Sequence, residues 1–490
     1  MDNNINILIP IFLPIIGGIL MFALKNLQKK IVIRSIFISI TALTSIASLF
    51  NCFLIGKSIT IANIAGMFPI SFEIDEISVL FTSITSIIWL VVGIYSGRYM
   101  DHEKNENLFF GSYLLVFGIL IGIDYSSNLV SFYLFYELMT IASLPLVLHS
   151  RKKDAIKASL KYLIYSLFGA FMGLVCIFFV LQSGQGMDFV AGGFVTAEAG
   201  RKEILLVAAF LGILGFGTKA GIFPLHDWLP TAHPVAPSPA SALMSGLITK
   251  AGVLGIIRLI YFVFSPDFIR GQWVQFAFIV LTLTTVLLGS ALAFKEKNLK
   301  KRLAYSTVSQ ISYILFGLSL LEPVAFGGAL MHVLSHASIK VCLFLCVGVI
   351  MFKTHSTDID EIGGIAKKIP AVMICFTVAS LALVGIPPLN AFFSKWFLVE
   401  GSFNTQINVI WWLGPVVLIV SALLTAGYLL SVSYNAFFKQ DDGRFSDVQI
   451  EKRDYAMIIP LLILAVIIVL TGVFSDEIMR VFENISSLVL

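Results

Sequence analysis

The stretch GFGTKAGIFPLHDWLP (215–230) decides the fold. It closes an apolar run that starts at residue 203 and has about the 20 residues a helix needs to cross the hydrocarbon of a bilayer. Yet it carries a lysine at 219, a glycine at 221 and a proline at 224. Glycine loosens a helix and proline removes a hydrogen bond, so the run reads as a broken helix. Unwound backbone at membrane depth is tolerated where protein buries it or a wet cavity lines it. A second stretch, LVGIPPLNAFFSKWF (383–397), repeats the pattern with Gly385, Pro387, Pro388 and Lys395. Paired interruptions of this kind point to an ion site in transporters built from repeats. The plainer alternative is two proline kinks in packed helices.

The rest of the chain is of the same character. Of 490 residues, 58% are hydrophobic and only 13% charged, with a mean hydropathy of +0.93. That is too much apolar surface to hide in water, so the chain reads as a polytopic membrane protein, and no nucleic-acid partner is expected. Transmembrane strands would give shorter alternating segments. The expected fold is an all-α polytopic membrane protein with about fourteen transmembrane helices. The first run, 6–24, has neither a basic leader nor a small-residue cleavage site and reads as a retained helix. Lysine and arginine gather in alternate connections, at 29–34, 151–161, 295–302 and 439–453. With these on the inner side, both termini are expected outside. Residues 57–74, KSITIANIAGMFPISFEI, predict a short external hairpin. Loops 183–202 and 439–454 have room for neither a nucleotide fold nor a redox centre. The five cysteines form no CxxC pair, so no metal or cofactor is expected.

Five ionisable residues lie inside the apolar runs: Glu137, Lys219, Lys250, Lys340 and Lys395. A central lysine costs roughly 3 kcal/mol to insert, so such a row needs a reason, and the usual one is an ion path. Glu137, in SFYLFYELMTIASL (131–144), would pair with Lys219; the pair acts as a switch if a nearby proton weakens it, or as a static structural contact. An unpaired Lys250 would be a relay that gains and loses a proton. In MHVLSHASIKVCLF (331–344), His332, His336 and Lys340 follow at i, i+4 and i+8, on one helical face with about 40° of drift per step. Such a face suits proton passage better than metal binding, because no carboxylate or thiolate stands at ligand spacing beside the histidines. Lys395 would end the row, as an exit or as the partner of an acid in a neighbouring subunit. Around the breaks, Pro224, His226, Asp227, His233 and Pro388 are gate candidates. Asp227 equally suits a helix cap, with Trp228 as an interfacial anchor. Ser241, Ser245 and Thr249 share a face leading to Lys250, suited to holding water or to close packing. Arg258, near a helix end, is expected to snorkel.

At this point the residues resemble a family. The stretches PLHDWLPTAHPVAPSPASALMSGLITKAGVLGIIR (224–258), KRLAYSTVSQISYILFG (301–317), MHVLSHASIKVCLFLCVG (331–348) and GIPPLNAFFSKW (385–396) look like the antiporter-like subunits of respiratory complex I, Mrp cation/proton antiporters and membrane-bound hydrogenases or formate hydrogenlyases. The resemblance implies two inverted five-helix repeats, 107–262 and 263–438, each with a discontinuous helix and flanked by 1–106 and 439–490. It also implies roles: Glu137 and Lys219 as a coupled pair, Lys250 as central relay, His332, His336 and Lys340 as the next links, and Lys395 as the terminal lysine. The implied function is proton translocation, with Na⁺ coupling left open, in a multisubunit complex of a prokaryotic cytoplasmic membrane whose partners include antiporter-like paralogues. Chain size and Lys395, where some relatives carry glutamate, favour a member of the Mrp antiporter type or of the hydrogenase type. A stand-alone cation/proton antiporter and a non-transporting scaffold are the rival readings; two broken helices speak against a scaffold.

Overall fold

The structure, a computed structural model, describes every residue except 1–3, 25–28, 185, 196–200, 406, 441–443 and 446–447. Parts of loops 183–202 and 439–454 therefore lie outside the described residues.

The chain enters through α1 (Ile9–Ala23) and α2 (Lys30–Asn51), followed by an antiparallel hairpin of β1 (Ser58–Ile64) and β2 (Phe68–Glu73). Ala65 and Gly66 make its turn at positive φ, 53° and 70°. Next come α3 (Glu76–Tyr99), α4 (Glu106–Tyr125), α5 (Leu129–Val147) and α6 (Lys153–Gln182). Helix α7 (Lys202–Ala220) stops at the first predicted break, and a short α8 (Leu229–Val235) continues beyond it. Helices α9 (Ser238–Leu243) and α10 (Thr249–Arg258) form one span, Ser238–Val263, with π-helical turns at Met244–Ile248 and Leu259–Val263. After α11 (Pro266–Ile269) come α12 (Trp273–Lys295), α13 (Leu299–Ser319) and α14 (Pro323–Thr354). The second broken pair is α15 (Pro370–Val384) and α16 (Asn390–Asn404); α17 (Ile410–Phe438), α18 (Tyr455–Val473) and α19 (Ser475–Val489) complete the chain.

Among the described residues, twelve helices are long and apolar enough to cross a membrane, and the chain is an integral membrane protein. The expected count of fourteen is not reached by that measure, for physical reasons. Helix α13 opens with Lys300, Lys301 and Arg302 and is threaded with serine, threonine and glutamine, while the break divides α15 from α16 into pieces of 15 residues each. After α18, the amphipathic α19 buries Met479, Phe482 and Ile485, and Ser486 Oγ donates to the Pro323 carbonyl at the head of α14 at 3.0 Å.

Burial separates a centre from a perimeter. The span Ser238–Val263 is buried along 100% of its apolar window, α14 along 94% and α4 along 89%, against 39% for α6 and 33% for α2. Thus the helix with Lys250 and the helix with the two histidines are inner helices, screened by the rest. On the lysine-rich face, Asp454 at the head of α18 accepts from Arg98 of α3 at 2.8 Å and Lys353 of α14 at 2.5 Å, pinning three helices at one carboxylate.

Candidate functional site

The two breaks are built alike. Gly221 and Gly385 adopt φ of 88° and 97°, a left-handed conformation that ends each helix and that glycine takes without strain. Behind each, two successive amides fold back on one carbonyl: Gly221 N and Ile222 N donate to Gly217 O at 2.8 and 2.9 Å, Gly385 N and Ile386 N to Leu381 O at 3.2 and 3.1 Å. Pro224 and Pro388 both follow cis peptide bonds inside the breaks. A helix end buried in protein leaves carbonyls without amide donors, and side chains supply them here. At the first break the Trp228 indole N–H donates to Thr218 O at 2.9 Å. At the second, Lys395 reaches back from α16 and donates to Leu383 O at 2.6 Å and Val384 O at 3.1 Å.

Lys219 lies one residue before the end of α7, buried to 1% exposure. Its ammonium donates to Thr140 Oγ1 at 2.7 Å and Tyr136 O at 3.2 Å, and stands 4.0 Å over the Tyr136 ring. These partners flank Glu137 on α5, and among the described ion pairs none joins Glu137 to Lys219. Glu137 Oε1 is buried without a hydrogen bond. The expected direct pair is therefore a longer-range one: the two charges act on each other while a threonine and a backbone carbonyl hold the ammonium.

Lys250 follows the first π-helical turn. The wide turn frees Ser245 O to accept from Lys250 Nζ at 3.0 Å and from Thr249 Oγ1 at 2.9 Å. The same ammonium meets His336 Nδ1 directly. That contact joins the span Ser238–Val263 to α14, and through it the two halves of the chain. Of the hydroxyl face expected beside Lys250, Ser245 bonds Thr307 of α13 at 2.6 Å and Ser241 bonds the His233 carbonyl at 3.0 Å, so both stitch packed helices together.

From His336 the line divides. Toward the second break, the His332 ring lies 6.3 Å away, its Nδ1 bonds Ser394 Oγ at 2.8 Å, and Tyr313 stacks on it at 5.5 Å. Lys395 sits 5.1 Å over the same Tyr313 ring. Lys340 turns the other way and donates to Leu303 O at 3.1 Å. Of the histidine–histidine–lysine face, the middle member meets Lys250, while Lys340 bonds the backbone of α13. Both histidines leave Nε2 buried without a protein partner.

The gate candidates separate. Asp227 pairs with Lys161, which also donates to Thr231 Oγ1 at 3.1 Å; both side chains are partly exposed. No side chain caps α8, and Trp228 is fully buried against Tyr162 at 4.8 Å, so neither the cap nor the interfacial anchor is what forms. His226 is nearly buried near the Phe223 ring, and His233 is buried with both ring nitrogens unpartnered, stacked 4.8 Å from Phe344.

Three features escaped the sequence reading. Lys300, counted among the loop charges, is buried to 1% exposure at the head of α13 and donates to Ala236 O at 2.8 Å. It lines a cavity of about 560 Å³ on the lysine-rich face with His102, Glu103 and His149. Arg258 does not snorkel: it grips Asp75 through both Nη atoms. Asp124, close to the end of α4, is buried to 1% exposure. The cap at Asp75 is a local pattern, but its pairing with Arg258 is a tertiary contact; the other two sat at helix ends whose depth a sequence leaves open. Among the described residues no three His, Cys, Asp or Glu side chains gather as metal ligands would.

Comparison with known proteins gives a consistent result. The family profile described as "NADH:quinone oxidoreductase/Mrp antiporter, TM" matches residues 126–431, and that of "NADH-Ubiquinone oxidoreductase (complex I), chain 5 N-terminus" matches 63–110. The NADH-quinone oxidoreductase subunit N of Desulforudis audaxviator is 30% identical over 427 residues, covering 84% of this chain and 83% of its own. Hydrogenase-4 component B of Escherichia coli is 30% identical over 372 residues, 72% of this chain and 54% of its own. Among solved structures, the archaeal membrane-bound sulfane sulfur reductase contains a chain that superposes with a TM-score of 0.87 at 22% identity, over 98% of this chain and 97% of that one, a likeness of fold.

Proposed function

This chain belongs to the NADH:quinone oxidoreductase/Mrp antiporter membrane family, and from that premise we propose that it is a proton-translocating subunit of a multisubunit energy-converting complex. The observation that carries the reading is the direct Lys250–His336 contact in the fully buried centre of the fold. Two cations about 4 Å apart repel by about 4 kcal/mol in a protein-like dielectric, so a proton on one member empties the other by a factor of about a thousand. Alternating occupancy is thereby imposed by geometry.

Protons move along Lys219, Lys250, His336, His332 and Lys395, with Ser394 and Tyr313 carrying the last gap and Lys340 as a side branch. Glu137 modulates Lys219 from a distance, and the hydroxyl of Thr140 holds the ammonium while the carboxylate is protonated. Lys300 and its cavity supply inner-side access. The residues 107–262 and 263–438 act as two inverted repeats, a division supported by the matched construction of the breaks. Both termini lie outside, in agreement with the lysine-rich connections. The chain works beside other membrane subunits and carries no redox centre of its own.

The test is Lys250→Ala in the complex reconstituted in liposomes. Translocation is abolished while assembly persists; pumping at the unsubstituted rate overturns the reading.

A further inference from the structure

The proposed relay runs from Lys219 to Lys395 and leaves the buried Asp124 unused. Asp124 is the next-to-last residue of α4, 1% exposed, and its Oδ2 accepts from Thr85 Oγ1 of α3 at 3.3 Å. Two further hydroxyls on α3, Thr82 Oγ1 and Ser86 Oγ, are buried without a partner. Asp124 and Thr85 line a small cavity together with Lys250 and the apolar side chains of Phe81, Leu120 and Leu247. Its volume, about 10 Å³, is room for roughly one water molecule. Thus the central lysine has two neighbours: His336 on one side, and a one-water cavity ending in a carboxylate on the other.

Above this cavity the span rises toward the hairpin face. Arg258 lies eight residues after Lys250, about 12 Å along the helix. It is 2% exposed and holds Asp75 at the head of α3, whose carboxylate also accepts from Ser78 N at 2.8 Å and Ser78 Oγ at 2.6 Å. The rings of Phe262 and Phe189 stand 4.6 and 5.1 Å from the guanidinium. The pair itself lines a cavity of about 180 Å³, together with Glu73, Glu76, Ser126 and Ser127. Reading outward, the order is lysine, one-water site, buried acid, fixed cation, acidic vestibule.

We propose that Asp124 is a proton-carrying residue that takes the proton leaving Lys250 and passes it toward the hairpin face, with the Arg258–Asp75 pair as the barrier that keeps this outlet closed between transfers. In the step, an N–H bond of the Lys250 ammonium breaks and its proton moves through a water in the cavity to a carboxylate oxygen of Asp124, where an O–H bond forms. An ammonium and a carboxylate become an amine and a carboxylic acid, so the site's net charge is unchanged. The fixed charge of Arg258 repels an incoming hydronium, and Asp75 holds it in place. Lys250 is reloaded from Lys219, the member of the relay before it. The first half of the chain then has its own outlet, and a proton reaching Lys250 need not continue to Lys395.

This inference rests on the proposed relay, so the test separates the two. The reconstituted complex is compared with Asp124→Asn, which keeps shape and the bond to Thr85, and with Lys250→Ala. The expected result is that Asp124→Asn assembles fully and loses proton translocation about a hundredfold, the lower range for removing a positioned proton carrier. If Lys250→Ala abolishes translocation while Asp124→Asn pumps at the unsubstituted rate, the outlet is overturned and the relay stands. If Lys250→Ala pumps normally, the relay itself falls. Should Asp124→Asn fail to assemble, Thr85→Val and Asp124→Glu replace it: Thr85→Val slows translocation several-fold and Asp124→Glu retains most of it, whereas equal, unsubstituted rates in both overturn the outlet. Infrared difference spectra supply a readout that a structural role would not move. A carboxylic-acid carbonyl band that appears during turnover and vanishes in Asp124→Asn supports the assignment, and its persistence in that variant refutes it.

Discussion

Replacing Lys395 by methionine separates its two jobs, and the geometry fixes what each is worth. The ammonium bonds the carbonyls of Leu383 and Val384 at 2.6 and 3.1 Å. Hydrogen bonds from a charged donor contribute about 1.5–3 kcal/mol each, so the cap contributes about 3–6 kcal/mol. Methionine keeps the stem and loses both bonds, but it also removes a charge whose insertion costs roughly 3 kcal/mol. The net loss of stability is then only about 0–3 kcal/mol, too little to prevent assembly. An ammonium that swings free of both carbonyls gives up the whole cap, which limits that state to about one part in a hundred to one in ten thousand. Release of the proton weakens both bonds, so the cap loosens when Lys395 is neutral and tightens when it is charged. The assay is thermal unfolding of the solubilised complex alongside proton pumping in liposomes. Lys395→Met should melt slightly lower and pump at least about tenfold more slowly, while Lys395→Arg should keep the cap and lose the pumping, because arginine does not release its proton. Normal pumping in Lys395→Arg would show that the residue only braces the break.

Four other outcomes follow from the same structure. His336→Ala cuts the joint between the halves and should slow translocation about a hundredfold, whereas Lys340→Met, off the main line, should leave a substantial fraction; equal effects would restore the linear order. Gly252→Val would place a Cβ 2.5 Å from Phe216 O and 2.6 Å from Ala220 N, backbone that cannot yield; the cost of about 1–3 kcal/mol or more should appear as a lower yield of assembled complex, and an unchanged yield contradicts the close approach of α10 to α7. Trp228→Phe keeps a ring against Tyr162 but leaves Thr218 O without its donor, for a loss of about 1–3 kcal/mol in unfolding free energy; an unaltered melt would mean the break needs no cap. Burial alone would raise the Asp75 carboxyl, but the charge and hydrogen bonds of Arg258, with those of Ser78, outweigh it and hold the group below the usual carboxylate range. Its contribution is therefore present above the unfolded value of about 3.9 and lost as pH falls through the lower folded value. Melting should show no Asp75-dependent change between about pH 5 and 8, with Asp75→Asn as the reference; a difference opening within that window would refute the pairing.

The membrane fold was legible because length and hydropathy decide it, and the two breaks because glycine and proline act locally. The titratable row was legible as well, since charges inside apolar runs stand out. Its wiring was not. Periodicity puts His332, His336 and Lys340 on one face, but which of them meets Lys250 depends on the height at which α14 crosses the span Ser238–Val263, a tertiary fact. Glu137 and Lys219 fit a simple pairing, yet Thr140 and the Tyr136 carbonyl reach the ammonium first. Asp124 and Lys300 resembled ordinary helix-end residues because a shift of two or three positions in a boundary moves a side chain from solvent into the interior. Trp228 looked interfacial because tryptophan often is, but a helix that stops inside protein needs a donor, and an indole provides one.

The carboxylate of Asp454 bears on how this protein is made. It is delivered by the ribosome long after Arg98, 356 positions earlier, and well after Lys353. Until the segment leading into α18 is synthesised and inserted, two cations on α3 and α14 lack the anion that ties them to each other. The tie between α3 and α14 is thus made late, and a chain that stops short of α18 would leave those two helices without the carboxylate that joins them.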